Sequence, residues 1–331
     1  MEYRKLAKTG LKVSAVGLGT WVMGGWMWGD ADDRDCEEAI EAALGQGIRL
    51  IDTAPVYGFG RSEETVGRVL KRLRIRDQVV LATKFGLEWD NKKTTLRRNA
   101  SPQRMLQELD DSRRRLQTDV LDLYQIHWPD ESVPFERTME ALAKLQQKGT
   151  IRAIGVSNFN VAQLKRCLDV APLDTLQPPY NLFERGIEED VLPFCREHGI
   201  AVLGYGALCR GLLSGKFDSA AHFDKGDVRS MDPKFQKEHF EYYLTAIEHL
   251  KAVAQKKGLT VGQLAIQWAA RQPGMTVVLA GARNRQQAQE NAGAFQIFLS
   301  EADLEAIETI VETALPEAIG PEFMAPPRSV R

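Results

Sequence analysis

Eight short apolar segments, separated by amphipathic helical stretches, constrain the fold of this 331-residue chain more than any other feature. Their apolar content is nearly continuous rather than alternating, as expected for strands that are buried on both faces. Strands that alternate with helices in this way form parallel sheets with crossover helices. The predicted strands are residues 15–19, 50–54, 79–84, 121–127, 153–158, 175–181, 201–206 and 276–281.

A closed barrel accounts for this order of elements better than an open sheet does, because nothing marks a reversal of strand order or a domain break. The sequence therefore predicts the α/β class and a single (β/α)8 TIM barrel domain over residues 1–331. We expect an N-terminal β-hairpin with a turn at Thr9 and Gly10. Extended loops over residues 86–100 and 207–240, and a proline-rich tail after residue 314, are long enough to serve a binding site.

Helix starts are indicated by residues that cap helices. Asp35, with an acid three residues later, and Ser62, with two acids directly after it, are predicted N-caps. Ser101 followed by Pro102 predicts a third cap with proline at the first helical position.

Composition excludes several classes of protein. The 43 basic and 45 acidic residues are interspersed and give a net charge of −2. This distribution provides no positive electrostatic field that would attract nucleic acid or an anionic membrane. The four cysteines are far apart, without a CxxC pair or nearby histidines, so we expect reduced thiols and no metal. No apolar leader or membrane-length segment is present, which favours a cytoplasmic protein. The oligomeric state cannot be read from one chain.

Titratable side chains lie at or just after the carboxyl ends of three predicted strands: Asp52 and Tyr57 at the second, Lys84 at the third and His127 at the fourth. Because barrel enzymes carry their reactive groups at the carboxyl ends of strands, we expect these four to reach one cavity. Taken singly, an aspartate there is more commonly a loop cap, and a histidine a satisfied polar group.

Lys84 is harder to explain as structural, because an unpaired buried ammonium is very costly and must find a carboxylate. Asp52 is the natural partner. A cation beside a tyrosine favours the phenolate, so we expect the pair to lower the pKa of Tyr57 from its usual value of about 10 and make it an acid and base.

At these positions the sequence resembles the aldo-keto reductase superfamily, and the resemblance covers the whole chain. The motifs that carry it are DTAPVYG at 52–58 followed by SE at 62–63, ATK at 82–84, QIHW at 125–128, IGVSNF at 154–159 and QPPYN at 177–181. Residues 204–213 and 320–327 are most similar to the bacterial general-stress and NADP-dependent glycerol dehydrogenase-like branch.

The resemblance implies hydride transfer between a nicotinamide cofactor and a small aldehyde, ketone or alcohol. Tyr57 would donate a proton to the carbonyl oxygen, with its pKa lowered by Lys84 paired to Asp52. His127 would orient and polarise the carbonyl, best as a neutral hydrogen-bond donor. No GxGxxG motif follows the first strand, where a Rossmann site would lie.

Cofactor contacts are predicted mainly in the second half of the chain. The resemblance assigns the carboxamide to Ser157, Asn158 and Gln177, and stacking on the nicotinamide ring to Tyr205. Backbone amides and cations between Gly206 and Lys216 suit phosphates. Residues 281–291 resemble the adenosine-phosphate site, with Arg283 for the 2′-phosphate and hence NADP. The full predicted set is Gly19, Thr20, Trp21, Ser157, Asn158, Gln177, Tyr205, Gly206, Leu208, Cys209, Arg210, Gly211, Lys216, Arg229, Gly281, Arg283, Gln287, Glu290 and Asn291.

Aromatic residues should crowd the barrel mouth, and we assign Trp21 and Trp128 to the substrate pocket. The resemblance favours a small substrate such as glyceraldehyde, methylglyoxal or a polyol. The chain departs from the family at residues 206–208, which read Gly-Ala-Leu where many members have Ser-Pro-Leu. Loss of a rigid proline and a hydroxyl there puts the pyrophosphate geometry in doubt.

Two other functions remain open at this point. Lys84 at a barrel strand end could form a Schiff base, as in class I aldolases. The chain could also be a cofactor-binding regulatory subunit that acts through protein contacts.

Overall fold

The computed structural model describes residues 1–327 and closes eight parallel strands into a barrel. The strands are β1 (Tyr3–Lys5), β2 (Lys12–Ser14), β3 (Val16–Gly19), β4 (Leu50–Asp52), β5 (Val80–Phe85), β6 (Leu87–Trp89), β7 (Leu96–Arg98), β8 (Leu121–Ile126), β9 (Ile151–Ser157), β10 (Thr175–Gln177), β11 (Ala201–Gly204) and β12 (Met275–Gly281). The barrel order is β3-β4-β5-β8-β9-β10-β11-β12, with β12 paired to β3. The predicted TIM barrel is confirmed.

Helices cover the outside of this barrel. They are α1 (Asp33–Gly45), α2 (Arg61–Leu73), α3 (Pro102–Leu116), α4 (Phe135–Gln147), α5 (Val161–Leu168), α6 (Val191–His198), α7 (Lys237–Lys256), α8 (Val261–Arg271), α9 (Arg285–Ala292) and α10 (Glu301–Ala314). Ser101 caps α3 with Pro102 at its first turn, as predicted. The other two caps were wrong: Asp32 caps α1, and Gly60 precedes α2 while Ser62 bonds Thr20 instead.

Two additional antiparallel pairs lie outside the barrel. β1 and β2 form the predicted N-terminal hairpin. β6 and β7 form a second hairpin inside residues 86–100, where the sequence indicated only a loop. The segment 207–240 contains three short 3-10 turns. No helix among residues 1–327 is long and apolar enough to cross a membrane, and the same residues hold no group of three or more metal-ligating side chains.

The barrel interior changes from apolar to polar along β4, β5 and β8. Leu50, Ala82, Leu123 and Ala153 pack together in the lower interior. Because side chains alternate along a strand, residues two positions further on face the same interior. Those positions hold the polar residues Asp52, Lys84 and Gln125, and beside them Gly155, so β4, β5 and β8 place a polar layer near their carboxyl ends.

Candidate active site

Lys84 and Asp52 form an ion pair inside the barrel. The Lys84 Nζ atom lies 2.6 Å from Asp52 Oδ2 and also donates to the Thr53 carbonyl at 3.0 Å. Lys84 is fully buried and Asp52 is 3% exposed. Burial lowers the pKa of Lys84, while the Asp52 carboxylate opposes this shift. Asp52 is thus the carboxylate partner that the sequence analysis predicts for a buried Lys84.

Tyr57 lies just beyond the end of β4, in a loop that folds back over this pair. Its hydroxyl is 3.3 Å from Lys84 Nζ. The Trp21 ring stacks on the Tyr57 ring with centroids 6.1 Å apart. His127, directly after β8, approaches the same ring edge-on at 5.8 Å between centroids. The structure therefore brings all four titratable side chains of the sequence analysis together.

The pKa of His127 is shifted as expected for a neutral hydrogen-bond donor, whereas the pKa of Tyr57 is shifted in the opposite direction to the expectation. Burial, reinforced by the charge of Lys84, holds the pKa of His127 well below its usual range, so His127 is neutral at physiological pH. Burial also raises the pKa of Tyr57 well above its usual value, and the Asp52 carboxylate adds to the rise. The expected lowering of the Tyr57 pKa is wrong for this structure, because Asp52 neutralises the ammonium and burial penalises the phenolate.

Polar groups at the ends of β9, β10 and β11 form a connected network beside His127. The Asn158 side chain donates to the His127 carbonyl at 3.0 Å and accepts the Tyr205 hydroxyl at 2.9 Å. Ser157 donates to the backbone carbonyl of Gln177 at 2.7 Å. Asn158 has a left-handed backbone with φ of 65°. Held in this way, the side chains form one wall of the cavity rather than separate caps.

A cavity of about 640 Å³ opens from this network, and it is lined by all but one of the predicted cofactor residues. The exception is Cys209, whose thiol is fully buried away from the cavity. Trp21 and Trp128 both line it, as predicted for the substrate pocket, and so do Trp26 and Trp28, which the prediction left out. Apolar side chains thus surround the end of the cavity that contains Tyr57.

The cations expected at the phosphate end differ in what they contact. Arg210 is buried and paired with Glu184 and Asp232, so its charge is already compensated, contrary to the expectation of a free phosphate-binding cation. Arg229 donates to Asp227 at 2.8 Å. Within residues 1–327, Lys216 and Arg283 line the cavity without an ion pair. Within the same residues, these two side chains are the lining cations without a salt bridge, and the charge of Arg283 also acts on the Asp227 carboxylate.

The start of α9 adds backbone donors beside Arg283. Asn284 caps the helix, and the Gln287 side chain accepts the Arg283 amide at 3.0 Å. Asn291 is fixed by donation to the Gly281 carbonyl at 3.0 Å. A helix N-terminus next to an unpaired arginine is suited to bind a phosphate group.

Sequence reasoning missed Gln125 as a site residue, and it named the tail without saying which of its residues line the site. Gln125 donates to Asp52 Oδ1 at 3.3 Å from the interior of β8; its place two residues before His127 on one strand was the available signal. Residues 323–326 of the tail also line the cavity. The Pro326 carbonyl accepts hydrogen bonds from Arg98, which lies 228 residues earlier. No local pattern in the sequence signals a contact of that separation.

Comparisons with known proteins identify the family of the chain. A sequence profile of the aldo/keto reductase family matches residues 15–312. Aldo-keto reductase YhdN of Bacillus subtilis is 49% identical over 328 residues, which cover 99% of this chain and 98% of that protein. The NADH-specific methylglyoxal reductase of Escherichia coli is 35% identical over 325 residues, covering 94% of this chain and 99% of the relative.

A solved structure gives the same result for the fold. The glycerol dehydrogenase AKR11B4 from Gluconobacter oxydans superposes with a TM-score of 0.88 at 45% identity, covering 98% of this chain and 99% of that one. The family profile, the relatives and the shared fold all extend over Asp52, Tyr57, Lys84 and His127, the catalytic tetrad that the resemblance implies. The chain belongs to the aldo/keto reductase family.

Proposed function

We propose that this protein is an NADP-dependent oxidoreductase that interconverts small aldehydes or ketones and alcohols, with Tyr57 as the general acid in reduction and the base in the reverse direction. The observation that carries the proposal is the Tyr57 hydroxyl, which lies 3.3 Å from a Lys84–Asp52 pair and beside His127. It lies at one end of a cavity whose other end carries unpaired cations.

The residues that line the cavity fit a nicotinamide dinucleotide. Ser157, Asn158 and Gln177 offer both donors and acceptors to a carboxamide, and Tyr205 offers a ring for stacking. Lys216 and Arg283 offer charge for phosphates, with the N-terminus of α9 beside them. When bound, the cofactor supplies the hydride that reaches the carbonyl carbon.

The side chains of the tetrad would then act on the carbonyl oxygen. His127, neutral because of burial and Lys84, would donate a hydrogen bond and orient the carbonyl. Tyr57, protonated because its pKa is raised, would transfer its proton to that oxygen as negative charge develops there. Lys84, fixed on Asp52, would keep its hydrogen bond to the Tyr57 oxygen, 3.3 Å away, as the proton leaves. Trp21 and Trp128 would hold a small substrate against these groups.

Preference for NADP over NAD is supported by Arg283, because an unpaired arginine next to a helix N-terminus suits an additional phosphate. One relative carries the description NADH-specific, so the preference needs a direct measurement. We expect Arg283→Gln to weaken NADPH binding at least tenfold and to leave NADH binding nearly unchanged. Equal losses for both cofactors would assign Arg283 to a shared phosphate instead.

A Schiff-base reaction at Lys84 is disfavoured by the geometry. The Lys84 side chain is fully buried, is paired to Asp52 at 2.6 Å and does not line the cavity. A carbonyl carbon would have to displace the ion pair to reach the amine.

The proposal is tested by NADPH consumption with glyceraldehyde, methylglyoxal and an aromatic aldehyde. Tyr57→Phe is compared with Tyr3→Phe, which removes a hydroxyl from the N-terminal hairpin. We expect wild type and Tyr3→Phe to turn over at the same rate. Tyr57→Phe should lose about 10²- to 10⁴-fold in kcat, the range for removal of a general acid, and still bind NADPH. NADPH binding without turnover in either direction by the wild type would favour the regulatory-subunit alternative.

A further inference from the structure

The Asp52 carboxylate is held by more than its ion pair. Oδ2 accepts from Lys84 Nζ at 2.6 Å, whereas Oδ1 accepts from two amides, Gln177 Nε2 at 2.8 Å and Gln125 Nε2 at 3.3 Å. An ionised carboxylate only accepts hydrogen bonds, so both amides must turn their NH2 groups toward it. The oxygen of the Gln177 amide therefore faces away from Asp52, on a residue that lines the cavity.

The barrel leaves a specific space for the Gln125 side chain. Gln125 pairs in register with Lys84 on one side and with Gly155 on the other, and it is fully buried. A Cβ atom added at Gly155 would lie 2.7 Å from Gln125 Cγ and 2.3 Å from Thr175 Oγ1. The absence of a side chain at Gly155 is what allows the glutamine to extend across the interior to Asp52.

We propose that Gln125 is a positioning residue that fixes both oxygens of Asp52 in their roles. By binding Oδ1, it keeps Oδ2 directed at Lys84, and hence the ammonium beside the Tyr57 hydroxyl. The same Oδ1 atom accepts a hydrogen bond from Gln177 Nε2. This bond leaves the Gln177 amide oxygen free to accept from the carboxamide NH2 of the cofactor. Gln125 thereby connects the proton-donating half of the site to the cofactor-binding half. This inference rests on the proposed reductase function.

Two substitutions separate this role from simple packing. Gln125→Met keeps the approximate volume and removes the donor, so we expect kcat to fall roughly ten- to a hundredfold at every pH, the scale of one hydrogen bond to a charged group. Gln125→Glu replaces the amide by a group that donates only when protonated. Two carboxylates that share a site raise the pKa of one of them, so this variant should be active at low pH and lose activity as the pH rises.

The decisive readout is whether activity follows this added ionisation, because a residue that only fills space would not make activity depend on whether position 125 can donate a hydrogen bond. The titratable groups already facing this layer are Asp52, Lys84, Tyr57 and His127, and Glu63 acts on Lys84 from behind; all are present in wild type and in the variants. Tyr124→Phe is the matched control. It removes a buried hydroxyl from the other face of β8, where Tyr124 donates to the Met105 carbonyl at 2.9 Å, and should keep the wild-type pH profile.

The second readout is the NADPH dissociation constant, measured by fluorescence without turnover. We expect Gln125→Met to weaken binding several-fold because the Gln177 amide is no longer held by a fixed Asp52, while Tyr124→Phe binds as wild type does. A wild-type pH profile for Gln125→Glu, or unchanged kcat and NADPH binding for Gln125→Met, would overturn the inference. Absence of carbonyl reduction by the wild type would instead refute the proposed function, and the two failures are thus distinguishable.

Discussion

Burial and charge act in the same direction on the Tyr57 hydroxyl. Burial penalises the charged phenolate, and the negative charge of Asp52 adds to this effect. The Asp52 carboxylate lies 2.6 Å from the Lys84 ammonium and offsets its positive charge. We therefore expect no tyrosinate absorbance from Tyr57 below about pH 10 in the protein without cofactor. The measurement is the ultraviolet difference titration of wild type against Tyr57→Phe. A Tyr57 ionisation between pH 7 and 9 would restore the sequence-based expectation of a lowered pKa.

His127 makes stability depend on pH with a defined sign. Its pKa in the folded protein lies well below the usual value, so the unfolded chain takes up a proton below about pH 6.5 and the folded chain does not. Stability should therefore fall as the pH drops below about 6.5, by up to about 1.4 kcal/mol per pH unit from this group. Urea unfolding at several pH values should give a shallower dependence for His127→Gln. Parallel curves for the two proteins would contradict the assignment.

Residue types predicted the tetrad because each member has a chemical reason to be where it is. A buried lysine requires a carboxylate, and that argument, together with its place at a strand end, selected Asp52. Arg210 was misjudged for the complementary reason. Its partners Glu184 and Asp232 lie outside the predicted strands, so the strand-end argument that paired Asp52 with Lys84 gave no reason to pair them with Arg210.

At the scale of elements, the loop that carries Tyr57 depends on close approach of two backbones. A Cβ atom at Gly24, in the 3-10 turn Trp21–Gly24, would lie 2.5 Å from the Tyr57 carbonyl carbon and from the Gly58 amide nitrogen. Gly24→Ala must therefore displace one segment, and we expect kcat to fall more than tenfold together with a loss of about 1–3 kcal/mol in stability.

Gly45→Ala is the control for that substitution. Gly45 ends α1, has no atom within 4 Å of an added Cβ and does not adopt a left-handed conformation. The alanine should leave kcat unchanged and leave stability equal or raise it by up to about 1 kcal/mol. Steady-state kinetics and urea unfolding of both variants measure the contrast; full activity in Gly24→Ala would show that the approach is not required.

The sequence predicted the barrel strands well, because burial on both faces requires long apolar runs. It predicted strand ends and the short β6–β7 hairpin poorly. All eight barrel strands are present because apolar runs of that length leave few other options. Their ends differ: β10 stops at Gln177, since Pro178 and Pro179 have no amide hydrogen for the ladder. The β6–β7 hairpin was missed because its strands have three residues each, too few for a recognisable alternation.

At the scale of the whole molecule, a buried ion cluster joins distant segments at the cavity. Arg210 and Lys234 pair with Glu184 and Asp232, and all four side chains are at most 3% exposed. Lys234 Nζ also donates to the tail carbonyl of Gly320 at 3.2 Å. Two cations against two carboxylates make the cluster neutral, which is the condition for burying it.

Removing one charge from this cluster should lower the stability of the protein strongly. Glu184→Gln leaves two cations facing a single carboxylate, and we expect a loss of about 3–5 kcal/mol in the free energy of unfolding. Glu136→Gln breaks an ion pair with Arg166 in which both side chains are 45% exposed, and should cost at most about 1 kcal/mol. Equal losses in urea unfolding would mean that the cluster contributes no more than a surface pair.

Hydride transfer to a carbonyl carbon is tested most directly with NADPH that carries deuterium at both hydrogen positions of nicotinamide C4, so that the transferred hydride is labelled whichever face reacts. The protein is incubated with this cofactor and glyceraldehyde, and the product is examined by mass spectrometry, with Tyr57→Phe alongside. We predict one deuterium on the carbinol carbon of the product with wild type, and little product with the variant. Product without deuterium, or substrate trapped covalently on Lys84 by borohydride, would contradict the proposed function.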